Sequence, residues 1–71
     1  IKSFRGTKMT FAEKIKFVRG RLQLSQIQLA KELGVSNVTI NRWEMKGLQP
    51  SFLSEKKFEM FCEQQGIKFE E

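Results

Sequence analysis

Two short helical segments joined by a glycine turn constrain the fold of this chain more than any other feature of its sequence. The first segment opens at Ser25, where the order Ser-Gln-Ile-Gln is typical of a capping box. In such a box the serine hydroxyl accepts from the amide three residues on, and the Gln28 side chain reaches back to the serine amide. Gly34 then permits the left-handed backbone that ends a helix, and Ser36 is a second N-cap. The pattern predicts two helices, the second over residues 36–44.

The apolar residues of these two segments fall on one side of each predicted helix. We call them the apolar wedge, and they are Leu29, Ala30, Leu33, Ile40 and Trp43. A shared apolar side of this kind fixes a steep angle between two short helices. The opposite edge of the second helix carries Asn37, Val38 and Arg42, which we therefore expect to point outward.

Helices on either side must cover this pair, because two short helices bury little surface alone. A first helix is predicted from a capping box at Thr10 and Glu13 to about Leu22, with Phe11, Ile15, Val18 and Leu22 on one face. The sequence thus predicts an all-α fold, a compact bundle of four or five short helices.

The last helix is predicted to begin at Ser51 or Ser54 and to run to Gln65. Its inner stripe consists of Phe58, Phe61, Cys62 and Gln65. Gly66 is expected as the C-cap, with Ile67 folding back onto the bundle. We also expect Phe52 and Leu53 to close the end of the bundle.

The positive charge is concentrated in the first two-thirds of the chain. The formal net charge is +5, but residues 1–50 carry ten Lys or Arg against three Glu, while residues 51–71 carry three Lys against five Glu. A basic surface of this kind suits a polyanion such as nucleic acid. Charge that only aids solubility is the alternative interpretation.

The composition argues against catalysis. Histidine is absent and there is one cysteine, so we find no nucleophile–base pair and no spacing typical of metal ligands. We expect no cofactor, no metal and no small-molecule substrate. No apolar run approaches the length of a membrane span, and we expect a cytoplasmic protein without a membrane partner.

The domain itself is expected over residues 9–68, with a tail at residues 69–71. Residues 1–8 show no periodicity, and we interpret them as a flexible basic arm or a non-native extension in front of an initiator Met9. Phosphate contact through its lysines and arginine is the functional interpretation of this arm, and a disordered tail without such contacts is the favoured alternative.

The segment LSQIQLAKELGVSNVTINRWE, residues 24–44, resembles the phage repressor and Cro-like helix-turn-helix domains, often called XRE-like or lambda-repressor-like. The resemblance extends more loosely over residues 10–67. It implies four or five helices, sequence-specific binding of double-stranded DNA in transcription regulation, and often a homodimer on a palindromic operator. Recognition would use the helix over residues 36–44 in the major groove.

The resemblance also implies roles for individual residues. Base contacts fall on Asn37, Val38 and Arg42, with Thr39 and Asn41 as secondary candidates. Phosphate contacts fall on Gln26, which also braces the base-reading side chains, and on Ser36, which caps the recognition helix. Arg19 and Glu44 match a partly buried ion pair between the first helix and the end of the third.

Residue chemistry agrees with these roles. Asn37 suits bidentate pairing with adenine and Arg42 with guanine, each worth roughly 1–3 kcal/mol of discrimination, while Val38 suits a thymine methyl. Lys46 and Gln49 follow the recognition helix and suit phosphate contacts, a solvated loop being the equal alternative. Trp43 is expected in the core, although its indole N–H is also a candidate phosphate donor.

The sequence departs from the family pattern after Glu44. The usual glycine two residues later is replaced by Lys46, and Gly47 follows one step on, so the sequence does not decide at which residue the recognition helix ends.

Two other functions remain as alternatives. One is a protein-interaction module, antitoxin or coactivator-like, that works through Met60 and the acidic residues of the last helix; the other is the DNA-targeting domain of a larger DNA-modifying enzyme.

Overall fold

Four helices in sequence account for most of the described chain. The computed structural model describes residues 9–69, and the predicted arm at residues 1–8 and the tail residues 70–71 lie outside that range. The helices are α1 (Phe11–Leu22), α2 (Gln26–Leu33), α3 (Asn37–Lys46) and α4 (Phe52–Gln64). Within residues 9–69 there is no strand and no fifth helix, so the fold is all-α.

The helix starts follow the local capping signals. Both predicted capping boxes are present, the Thr10 and Ser25 hydroxyls accepting from the amides three residues on. Ser36 caps α3 and Ser51 caps α4 in the same way. Because a cap satisfies backbone amides that have no partner within the helix, these residues fix where each helix begins.

Left-handed residues end three of the helices. Gly34 ends α2 with φ 71°, as predicted, and Gly47 ends α3 with φ 65°. Gln23 ends α1 with φ 57°, although it is not a glycine. The prediction for the end of α3 was wrong: the helix runs through Lys46, two residues beyond Glu44, because the residue able to take the left-handed conformation is Gly47.

The core lies where all four helices meet. α3 packs against both α1 and α2, and α4 packs against α2. The apolar wedge is buried in full, together with residues from α1, α4 and the chain after α4: Phe11, Ile15, Val18, Phe58, Phe61, Cys62 and Ile67. The ring of Phe11 makes edge-to-face contacts with Trp43 and Phe58, both with centroids 5.1 Å apart. The first helix thereby joins the helix pair to α4.

Three expectations for α4 were wrong. Phe52 and Leu53 do not close the bundle, since they are 74% and 64% exposed in the first turn of α4. Gln65 is exposed rather than part of the inner stripe, and it rather than Gly66 is the C-cap residue. A position on a helix stripe does not ensure burial at a helix end, and at both ends of α4 these side chains are left uncovered by the other elements of residues 9–69.

Packing continues one residue beyond the predicted domain boundary. The ring of Phe69 contacts Phe17 and Phe58, with centroids 5.7 and 6.3 Å away, and Lys14 lies over its face. Ile67 folds back into the core, as predicted. No helix among residues 9–69 is long and apolar enough to cross a membrane.

Candidate nucleic-acid interface

The two sides of α3 have opposite character. Ile40, Trp43 and Glu44 are buried against α1 and α2. The other side presents exposed side chains, which we call the outer edge of α3: Asn37, Val38, Asn41 and Arg42. Their spacing of one, three and four residues puts them on one strip of a helix. The structure therefore leaves the candidate base-reading side chains outside the bundle.

The start of α3 is held by two hydroxyls. The Oγ of Ser36 accepts from the Thr39 backbone amide at 3.2 Å and lies 3.0 Å from the Thr39 hydroxyl oxygen. Thr39 is half-buried, unlike the residues of the outer edge. This arrangement fixes the first turn of α3 and leaves Thr39 a smaller exposed surface than Asn37 or Val38.

An ion pair ties α1 to the end of α3. The Nη1 atom of Arg19 donates to both carboxylate oxygens of Glu44, at 3.1 and 3.0 Å. The Glu44 side chain is 4% exposed and that of Arg19 is 27% exposed. Arg19 also donates from Nε to the Leu24 carbonyl at 3.2 Å, in the connection to α2. The guanidinium of Arg19 thus connects α1 to the start of the α2 region at Leu24 and to the end of α3 at Glu44.

Gln26 joins the same cluster from the start of α2. Its Nε2 donates to Oε1 of Glu44 at 3.2 Å, across a separation of 18 residues. Sequence reasoning assigned Gln26 to DNA and Glu44 to Arg19 and did not find this link. No local sequence pattern predicts a contact between Gln26, the first residue of α2, and Glu44, near the end of α3.

Trp43 is a core residue with one polar atom near the surface. The residue is 5% exposed, and its ring packs edge-to-face on Phe11. Its indole nitrogen has no acceptor among residues 9–69. Since every fully buried side-chain nitrogen or oxygen in that range has a partner, the indole N–H must be accessible to solvent. The ring of Trp43 is therefore part of the core, while its indole N–H can still donate a hydrogen bond to a ligand.

Lys46 and Gln49 lie at the other end of α3. Lys46 is the last residue of the helix and Gln49 follows in the connection to α4, and both are exposed. Ser36 lies at the start of α3, so polar side chains stand at both ends of the outer edge, while Gln26 contacts α3 through Glu44 on its buried side. Three of the candidate phosphate-binding residues, Ser36, Lys46 and Gln49, therefore lie before or after the candidate base-reading residues along the chain.

The face formed by α1, α4 and the following chain differs chemically from the outer edge of α3. A cavity of about 320 Å³ opens there, lined by aromatic and charged residues that include Phe11, Phe69 and Glu59, and α3 contributes nothing to it. Burial raises the pKa of the Cys62 thiol to about 11, with Lys14 opposing the shift and Glu59 adding to it. The thiol is therefore neutral and unreactive near neutral pH.

A family model supports the same segment of the chain. The model described as helix-turn-helix matches residues 15–53, which is more than half of the sequence. No curated protein and no solved structure gives a significant match. The matched residues include α2, the turn at Gly34 and α3, together with most of α1.

Proposed function

The chain belongs to the helix-turn-helix family of phage repressor and Cro-like (XRE-like) domains, which bind double-stranded DNA, and from this we propose that it reads a specific DNA sequence and regulates transcription. In this proposal α3 enters the major groove. The observation that carries it is the outer edge of α3, exposed on a helix whose other side is packed in the core. A helix fixed on one side and polar on the other is the geometry that groove reading needs.

The side chains of the outer edge differ chemically, and each therefore suits a different base. The Asn37 amide suits adenine, which offers one acceptor and one donor in the major groove, and the Arg42 guanidinium suits the two acceptors of guanine. Val38 has no polar group and suits a thymine methyl. Asn41 and Thr39 are secondary readers, and the hydroxyl of Thr39 first has to leave Ser36 or share its hydrogen bond.

Phosphate contacts are proposed for the residues around that edge: Gln26, Ser36, Trp43, Lys46 and Gln49. Trp43 would contribute through its accessible indole N–H alone, since its ring is buried. Lys46 adds a positive charge at the end of α3. Such contacts set the register of a protein on the duplex without reading sequence.

We further propose that residues 9–69 are the DNA-binding domain and that two copies occupy a palindromic site. Half-sites in this binding mode are centred about 34–36 Å apart, one helical turn of DNA. A palindrome with that spacing among selected duplexes would support the homodimer. Single half-sites would instead indicate a monomer.

Selection of bound duplexes from a random pool is the primary experiment. We expect a defined sequence to emerge, and Arg42→Ala and Asn37→Ala to lose preference at separate base pairs while the far-UV circular dichroism stays unchanged. The controls are Lys57→Ala and Gln64→Ala, which remove a similar charge and amide from the exposed surface of α4. Wild-type preference in both α3 variants would refute α3 as the reader.

The salt dependence of the binding affinity distinguishes a DNA-binding function from binding to a protein partner. With about six phosphate contacts, affinity for the selected duplex falls ~10³-fold between 50 and 200 mM salt. A flat response and no selected sequence would instead favour an interaction module that uses the α4 surface, where Met60 and three glutamates are exposed. The two functions therefore give different results in the same titration.

A further inference from the structure

Glu44 connects three helices through one almost fully buried carboxylate. It accepts from Nη1 of Arg19 on α1 through both oxygens and from Nε2 of Gln26 on α2, while it belongs to α3 itself. The ion pair alone needs only Arg19. The additional hydrogen bond links Gln26, a side chain that we propose to contact DNA, to a buried residue of the core.

The orientation of the Gln26 amide follows from the chemistry of its partner. A carboxylate only accepts hydrogen bonds, so the nitrogen of Gln26 must face Glu44, and the reversed amide would bring two acceptors together. The other amide atom, Oε1, has no donor among residues 9–69. Because no buried oxygen in that range is unsatisfied, Oε1 is accessible to solvent.

We propose that Glu44 is a positioning residue for DNA reading, whose carboxylate holds Gln26 with Nε2 inward and Oε1 outward as a hydrogen-bond acceptor at the interface. The inference rests on the proposed function. An outward carbonyl oxygen repels phosphate, so it recognises an N–H donor: the guanidinium of Arg42 or the exocyclic amino group of adenine or cytosine. The second hydrogen on Nε2 remains for the phosphate contact proposed above.

The orientation is tested first in the free protein. In ¹⁵N spectra at neutral pH we expect the side-chain amide protons of Gln26, identified by their loss in Gln26→Ala, to exchange with water more slowly than those of exposed Gln64. Equal exchange rates would show that Glu44 does not hold the amide and would overturn the proposal. This measurement needs no DNA and no variant of Glu44.

A double-mutant cycle then tests the effect on DNA binding. Loss of one positioned hydrogen bond is worth about tenfold in affinity, and we expect Glu44→Gln, whose amide accepts either orientation of Gln26, to cost that much for the selected duplex. In the Gln26→Ala background the same substitution is expected to change affinity less than twofold, while its effect on melting temperature persists. An equal affinity loss in both backgrounds would show a purely structural role for Glu44.

The cycle also separates this inference from the proposed function. If wild type selects no duplex, the proposed function fails; if wild type selects one and the cycle is additive, only the positioning role fails. The donor is identified by Arg42→Ala. When Arg42 is the donor, Gln26→Ala changes no base preference further in that background, although affinity still falls through the lost phosphate contact; when a base is the donor, Gln26→Ala still changes the preference at one base pair.

Discussion

Removing the positive charge of Arg19 should destabilise this domain strongly. In Arg19→Met the long apolar stem is kept but Glu44, whose side chain is 4% exposed, loses its counter-charge. Breaking a buried ion pair from one side costs roughly 3–5 kcal/mol. Arg19 is itself 27% exposed, which places the loss at the lower end of that range. The hydrogen bond to the Leu24 carbonyl, worth about 1 kcal/mol, is lost as well.

We therefore expect Arg19→Met to lower the free energy of unfolding by about 3 kcal/mol, since the Gln26 hydrogen bond still satisfies part of the carboxylate. For a domain of this size each kcal/mol corresponds to about 4–8 °C, so the melting temperature falls by roughly 12–24 °C. Thermal and urea unfolding at pH 7, followed by far-UV circular dichroism, measure the change.

The structure offers a matched control on α4. Lys56 and Glu59 also form an ion pair, at 3.4 Å, but their side chains are 54% and 55% exposed. Exposed pairs contribute about 0–1 kcal/mol, so Lys56→Met should scarcely change stability. If Arg19→Met is no more destabilising than Lys56→Met, the reasoning from burial is refuted. Replacing both partners, as in Arg19→Met with Glu44→Leu, should recover most of the loss.

Three further predictions follow from the backbone, the exposed apolar residues and the buried thiol. Gln23→Gly should stabilise and Gly47→Ala destabilise the fold by about 1 kcal/mol each, since both positions have positive φ; urea unfolding gives both signs. Leu53→Ser should leave the melting temperature within a few degrees of wild type, whereas Phe61→Ala in the core should cost about 3–5 kcal/mol. The Cys62 thiol has a pKa of about 11 when folded and about 9 when unfolded, so wild type should lose about 2 kcal/mol more stability than Cys62→Ala as pH rises from 9 to 11.

The sequence predicted the parts of the fold that depend on local chemistry. The caps at Thr10, Ser25 and Ser36 and the turn at Gly34 are decided by atoms within a few residues, and all four are confirmed. The apolar wedge was also predictable, because the period of an α-helix alone sorts its residues onto one side.

What the sequence left open depends on contacts distant in the chain or on backbone conformation. The exposure of Phe52 and Leu53 follows from the absence of a neighbouring element over the first turn of α4 among residues 9–69, which no local pattern encodes. The left-handed conformation at Gln23 has no signal in a glutamine. The hydrogen bond from Gln26 to Glu44 joins two helices, and the family resemblance implies a different partner for each of these residues.

The division of α3 between core and surface has a consequence for how such a domain changes its target. The outer edge makes no contribution to the buried core, so substitutions at Asn37, Val38, Asn41 and Arg42 should alter DNA preference at little cost in stability. Glu44 is different, because it is buried and bonded to both α1 and α2. Under the proposed function, specificity is therefore free to vary at the outer edge, whereas Glu44 has to be kept both for the fold and for the orientation that we propose for Gln26.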